Sequence, residues 1–205
     1  MKSLDELFGM EKVLHGEGFG RICGVDEAGR GPLAGPVCAA AVILPEDASL
    51  PGLDDSKKLT EKKREALFDE IKEKALAWGV AFASVEEIER LNILNAALLA
   101  MNRAIAQLTP RPDLALIDGN TTRDIAVPAR AVVGGDGKCA CIAAASVLAK
   151  VTRDRYMREL AAAYPQYGFD KHKGYGTKAH YAAVDEFGLC PAHRPSFFKK
   201  YYAKR

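Results

Sequence analysis

Long apolar runs are missing from this chain, and no stretch approaches the length needed to cross the hydrocarbon core of a bilayer. The first residues lack the basic segment and apolar stretch of a secretory leader; Asp5, Glu6 and Glu11 stand there instead. Paired cysteines are lacking too. Cys23, Cys38, Cys139, Cys141 and Cys190 are odd in number and show no CxxC spacing, which argues against a zinc site. Several fall inside apolar runs, where a free thiol packs as a small hydrophobe. Together these absences predict a soluble protein of a reducing compartment, the cytoplasm. A strong charge imbalance is also lacking: the net charge of +2 excludes a globally basic nucleic-acid binder. Any polyanion contact must come from local clustering, and Lys171, Lys173, Lys178, His193, Arg194, Lys199, Lys200, Lys204 and Arg205 crowd the last part of the chain.

What is present is an ordinary globular balance, 48% hydrophobic and 27% charged, over 205 residues. No internal repeat, low-complexity tract or linker divides it, so one domain spanning 1–205 is expected. Within it, 1–20 reads as a short extension of helix and glycine-rich connector, and about 165–205 as a C-terminal substrate-contacting segment. Ile22 to Val25 and Val37 to Leu44 read as buried strands joined by a turn-rich segment, and Pro45 to Lys58 as a polar loop. Thr60 is placed to cap a helix with Leu67, Ile71 and Ala75 on one face. Trp78 to Ala83 follows as a strand, and Ser84 with Glu87 forms a capping-box pattern for a short helix to Leu91. A further helix carries Leu94, Leu98, Met101, Ile105 and Leu108 on one face, before strands at Leu114 to Asp118 and Ala131 to Val133. After Asp136 an Ala-rich segment to about Ala163 predicts a long helix suited to close packing on a sheet, and Thr177 to Phe187 another helix. Strands and helices alternate without a strict βαβ rhythm, which predicts a mixed sheet covered by helices.

The chemistry-bearing pattern is a set of acids at strand ends. Asp26-Glu27 follows an apolar strand and precedes Ala28-Gly29-Arg30-Gly31-Pro32. Adjacent carboxylates repel unless a cation or hydrogen bonds compensate. In extended chain their side chains point to opposite sides, so a shared ion requires a kink, which the nearby glycines would permit. Asp118 also ends an apolar strand, and Asp136 sits between Gly135 and Gly137. Acids at strand ends in an α/β fold converge on one edge of the sheet. Oxygen-only ligands suit Mg²⁺ or Mn²⁺, and two such ions about 3.5–4 Å apart activate water and stabilise a leaving oxygen in phosphodiester cleavage. Each acid also reads more simply: Asp26 and Glu27 as turn residues, Asp118-Gly119 as a turn pair, Asp136 as a helix N-cap. Asp154, inside the long helix, reads as a surface salt-bridge partner.

These residues resemble the ribonuclease HII family. The resemblance is carried by Gly24-Val25-Asp26-Glu27-Ala28-Gly29-Arg30-Gly31-Pro32-Leu33-Ala34-Gly35-Pro36-Val37, by Asp55-Ser56-Lys57-Lys58-Leu59 and by Leu116-Ile117-Asp118-Gly119. Further along, it is carried by the run from Ala143 to Asp154, by His172-Lys173-Gly174-Tyr175-Gly176-Thr177 and by His193-Arg194-Pro195-Ser196-Phe197. The blocks fall in family order and span nearly everything from 20 to 198. The resemblance implies an α/β, RNase H-like fold: a central mixed β-sheet flanked by helices, with a helical C-terminal segment. It implies a metal-dependent endonuclease that cuts the RNA strand of RNA–DNA hybrids and cuts 5′ to ribonucleotides embedded in duplex DNA, with Asp26, Glu27, Asp118 and Asp136 as metal ligands. It also implies that Gly29, Arg30 and Gly31 read the ribose 2′-hydroxyl at an RNA-to-DNA junction while Tyr175 stacks on the neighbouring deoxyribose. The 2′-hydroxyl separates RNA from DNA, and close backbone approach to it needs glycine; Arg30 is suited to a phosphate. Lys57 and Lys58 are assigned to DNA phosphates.

The family commonly has serine after the lysine that follows the fourth acid, whereas Lys138 here precedes Cys139, and the run Gly134 to Gly137 suggests a mobile loop around Asp136. Ribonuclease HIII, the nearest rival, usually carries an extra N-terminal DNA-binding domain, for which the roughly twenty residues before the first strand leave no room. It also has lysine where this chain has Arg30. A non-catalytic hybrid-binding module is a second rival. A nucleotide enzyme is a third, against which Gly29-Arg30-Gly31 leads into a strand and not a helix. A monomer is expected. The Phe197-Phe198 pair leaves a sliding clamp open as a partner, although no clear clamp-binding motif is visible.

Overall fold

The computed structural model describes residues 4–203, so Lys204 and Arg205 of the basic cluster lie outside the described residues. Five strands form one sheet: β1 (Ile22–Ala28), β2 (Val37–Ile43), β3 (Ala77–Ala83), β4 (Leu114–Asp118) and β5 (Ala129–Val132), in the order β3-β2-β1-β4-β5. β1 pairs antiparallel with β2 and parallel with β4; β2–β3 is antiparallel and β4–β5 parallel, so the sheet is mixed. The helices are α1 (Leu4–Leu7), α2 (Gly9–Gly16), α3 (Glu61–Lys74), α4 (Val85–Leu91), α5 (Ile93–Ile105), α6 (Ala140–Ala163), α7 (Phe169–His172), α8 (Lys178–Phe187) and α9 (Lys199–Tyr202). Among the described residues no helix is long and apolar enough to cross a membrane.

The central strands explain their own sequences. β2, VCAAAVI, is buried along its whole length because it lies between two strands with helices over both faces. Cys23, Val25, Val37, Ala39 and Ala41 pack with Leu98, Met101 and Ile105 of α5 on one face. Ala40 and Val42 pack with Leu67 and Ile71 of α3 and with Ala144, Val147 and Leu148 of α6 on the other. The alanines of α6 let its backbone approach the sheet. At Gly24 a Cβ would stand 2.1 Å from the carbonyl carbon of Cys141, so only glycine fits beneath the helix. A third cluster, with Leu33, Met157, Phe169 and Phe198, ties the C-terminal helices to the far half of α6.

Thr60 accepts from the Lys63 amide, and the Ser84–Glu87 capping box is complete, as their spacing predicts. Several expectations shift. β1 runs on to Ala28 in unbroken register with β2, so no kink separates Asp26 from Glu27. β5 begins earlier than expected, at Ala129, and leaves Val133 exposed. α6 begins only at Ala140, and its N-cap is Cys139, so Asp136 is not a helix cap. The glycine-rich run around Asp136 is no open loop: Gly135–Gly137 is a 3₁₀ turn, closed by the Lys138 and Cys139 amides donating to Gly135 O, and Asp136 is buried. Asp154 pairs with Lys150 at 2.7 Å but is buried, not on the surface. His193 and Arg194, counted with the basic tail, are buried at 1% and 0% exposure.

Candidate metal centre and nucleic-acid site

The parallel register that sets Val25 beside Ile117 brings the next residues, Asp26 and Asp118, side by side at the ends of adjacent strands. Strand alternation puts both on the α6 face, because Val25 and Ile117 belong to the opposite core. Asp136 reaches the same point from its 3₁₀ turn, and one carboxylate oxygen from each of Asp26, Asp118 and Asp136 lies within 4.8 Å of the others. The Gly135 amide donates to Asp118 Oδ1 at 2.7 Å and the Glu27 amide to Asp26 Oδ1 at 2.7 Å, which fixes both carboxylates. Lys57 Nζ stands 3.4 Å from Asp136 Oδ2.

Glu27 is not in that triad. With no kink in β1 it points to the other face, where it accepts from Arg30 Nη1 at 3.3 Å and lines a hollow with Leu98, Met101 and Asp118. Burial drives the Asp26 carboxyl well above its usual range, and the charges of Glu27 and Asp118 add to the shift. Burial also raises Glu27, against the opposing pull of Arg30, and raises Asp136, with help from Asp55 and Asp118. Burial lowers the Lys57 ammonium, but the charges of Asp136, Asp26 and Asp55 outweigh it and hold it above its ordinary value. Crowded, desolvated, oxygen-only donors fit a hard divalent cation: it would relieve the repulsion that otherwise favours protonation.

Beside the triad is a cleft of about 210 Å³ whose walls include Gly29, Arg30, Gly31, Lys57, Lys150 and Tyr175. Gly29 has φ +101°, and a Cβ there would strike Arg153 Nε at 2.0 Å. The Tyr175 ring, 47% exposed, lies 3.6 Å from where a Cβ on Gly31 would stand. Lys58 Nζ pairs with Asp54 at 3.4 Å and lies 3.9 Å from where a Cβ on Gly137 would stand. The structure therefore brings Asp26, Asp118 and Asp136 together, sets the glycine loop and Tyr175 beside them, and leaves Lys57 and Lys58 at the rim.

Sequence reasoning gave Arg153 no role and counted Arg194 only with the basic tail, yet these two residues shape the glycine loop. Arg194 donates from Nη2 to Gly29 O (2.7 Å), from Nη1 to Arg30 O (3.1 Å) and Pro32 O (2.8 Å), and from Nε to Gly35 O (2.9 Å). Arg153 donates to Pro36 O (3.0 Å), Ala34 O (3.1 Å) and Lys173 O (3.1 Å). The loop's carbonyls are thus turned inward, onto two buried guanidiniums that place positive charge beneath the cleft. Both arginines lie in motifs that carry the resemblance, which was the one available signal.

A mixed sheet with a buried and a half-buried carboxylate side by side at the ends of adjacent parallel strands defines an RNase H-like, metal-dependent nuclease. The ribonuclease HII family model matches residues 23–203, and the chain belongs to that family. It is 60% identical over 178 residues to ribonuclease HII of Dechloromonas aromatica, covering 87% of this chain and 91% of that one. Among solved structures, the ribonuclease H2 of Pyrococcus horikoshii superposes with a TM-score of 0.73 at 25% identity, over 90% of this chain and 98% of that one. The Archaeoglobus fulgidus ribonuclease HII, solved in complex with PCNA, also gives 0.73 at 25% identity, over 85% and 93%. The chain is a type-2 ribonuclease H that acts on RNA–DNA hybrids.

Proposed function

We propose that this nuclease hydrolyses the RNA strand of hybrids and also cuts on the 5′ side of ribonucleotides embedded in duplex DNA, leaving 5′-phosphate and 3′-hydroxyl ends. The observation that carries this reading is the carboxylate triad beside the Gly29–Gly31 loop and Tyr175 in one cleft. Asp26, Asp118 and Asp136 would hold Mg²⁺ or Mn²⁺, and Glu27, which lines one hollow with Asp118 and the adjoining cleft with Asp26, is the fourth acid of the site. Two bound divalent ions supply the charge that activates water and stabilises the leaving oxygen. The chain's own residues do the selecting. Because the carbonyls of Gly29 and Arg30 are taken up by Arg194, the loop is held in one shape against which a ribose 2′-hydroxyl is read, with the Tyr175 ring against the next sugar. Lys57, Lys58 and the C-terminal segment meet the DNA phosphates, so binding weakens as salt rises. One copy of the chain suffices. The Phe197-Phe198 pair is not what a sliding clamp would grip, because Phe198 is buried and Phe197 lies against the Arg194 guanidinium at 5.1 Å.

Asp118→Asn removes a charge with little change of shape, so cleavage of a duplex with one ribonucleotide should fall by orders of magnitude while the fold persists. Full activity of this variant in Mg²⁺ would falsify the assignment. Arg30→Ala and Tyr175→Ala should each reduce cleavage at a single ribonucleotide more than duplex binding; equal losses would remove the junction-reading role.

A further inference from the structure

We infer that His180, with His193 and His172, is a positioning residue: the three form a relay of neutral imidazoles that fixes the backbone of Gly174 and Tyr175 and so sets the ring that selects the RNA-to-DNA junction. This inference rests on the proposed contact between Tyr175 and substrate.

The bonding leaves one choice of tautomer at each ring. His180 Nδ1 is 2.9 Å from Tyr175 O, and a carbonyl only accepts, so Nδ1 carries the proton. His180 Nε2 is then an acceptor, and His193 Nε2, 3.1 Å away, must donate to it. His193 Nδ1 in turn accepts from the Cys190 amide at 2.9 Å. His172 closes the other side: Nδ1 accepts from the Gly174 amide at 3.2 Å and Nε2 donates to Tyr167 O at 2.7 Å. A second proton on His180 would set two N–H groups face to face.

The segment leaves α7 in a left-handed turn: Lys173 and Gly174 both have positive φ, +51° and +83°, with the Lys173 amide donating to Phe169 O at 3.0 Å and the Tyr175 amide to His172 O at 2.9 Å. The imidazole contact adds a hold on the carbonyl that follows, Tyr175 O. His172 stacks on His180 with centroids 4.5 Å apart, and Phe169 meets His180 edge-on at 5.5 Å, which fixes the rings themselves. The Leu33 amide donates to Gly174 O at 2.8 Å, so the held segment is joined to the glycine loop across the cleft. The cluster is not a metal site. Among the described residues only the Asp26, Asp118 and Asp136 set brings three ligand atoms within 4.8 Å, and the ring nitrogens here are taken up by hydrogen bonds.

The test is steady-state cleavage of two substrates, a DNA duplex with one ribonucleotide and a continuous RNA–DNA hybrid, with melting temperature as a control of folding. His180→Phe keeps a packed ring and removes both nitrogens. It should lower the preference for the single ribonucleotide about ten-fold, through KM, with kcat on the continuous hybrid within about two-fold. His180→Asn, which keeps an N–H near Tyr175 O, should recover most of that preference. If His180→Phe fails to fold, His172→Gln at the half-buried end of the cluster should move the preference in the same direction. An unchanged preference in the folded variant, or equal losses on both substrates, overturns the inference. Tyr175→Ala separates the two levels. If it does not lower the preference, the contact and the relay's purpose fall together; if it does and His180→Phe does not, only the relay falls.

Discussion

Asp26 is where the chemistry of single residues is sharpest. Its carboxyl is buried, with Asp118 beside it on the next strand and Glu27 next in the chain, and its pKa lies well above the unfolded value. A carboxyl whose folded pKa is raised destabilises the fold most above that pKa; the penalty shrinks as pH falls from the folded toward the unfolded pKa and is gone below the latter. Without divalent ions at neutral pH, Asp26→Asn should therefore melt higher than the parent, by about 2–4 °C for each kcal/mol of repulsion removed. Added Mg²⁺ should raise the melting temperature of the parent and much less that of the variant. A thermal scan showing the variant less stable, with an undiminished response to Mg²⁺, would contradict this account. Asp26 and Asp118 were legible as candidates because a carboxylate ending an apolar strand is a local pattern. Arg153, Arg194 and Glu11 were not. Arg153 meets Ala34 across 119 residues, Arg194 meets Gly35 across 159, and buried Glu11 accepts the Cys141 amide across 130. A basic residue near the end of the chain reads as part of a polyanion-facing cluster until the fold supplies its carbonyls.

At the scale of elements, caps and apolar periodicity placed most helices and strands, while edges and approaches escaped. β5 is short and largely exposed, so little in its sequence marks where it begins. The Ala-rich composition announced a helix close to the sheet, but the 3₁₀ turn before α6 shows only in the backbone. That closeness is testable at Gly24. A Cβ there meets backbone atoms of Cys141 and Ile142 at 2.1–2.2 Å, and backbone cannot rotate away. Gly24→Ala should cost about 1–3 kcal/mol, as overpacking does. It should also weaken metal binding, because the start of α6 follows directly on the Asp136 turn. Melting and Mn²⁺ titration check both, and an unshifted melting temperature would mean that the helix yields freely.

For the whole molecule, the aromatic and imidazole cluster under the C-terminal helices makes stability depend on pH. Burial, then the neighbouring His180, pull His193 down to about 4 from 6.5, and burial lowers His180 as well. Tyr167, Cys190 and His172 are the titratable neighbours that face His193. A depressed histidine binds its proton in the unfolded chain first, so this stability is complete above about pH 6.5 and is lost as pH falls toward 4. The melting temperature should fall between pH 6.5 and 4 more steeply in the parent than in His193→Gln; parallel slopes would show that other groups govern the acid limb.

The 24 residues of α6 run from just past the Asp136 turn, over Gly24, to Arg153 beneath the glycine loop and Tyr156 beyond it. At 1.5 Å per residue that is a rod of about 36 Å with no break in it. Its near end meets the turn that brings in Asp136, and its middle underlies the loop assigned to the ribose. On the roles proposed above the helix would work as a ruler. Cutter and reader would share one stiff gauge, so the offset between them would be set by the protein and not by the flexibility of the nucleic acid, and a nick should fall at a single phosphate instead of scattering along the strand.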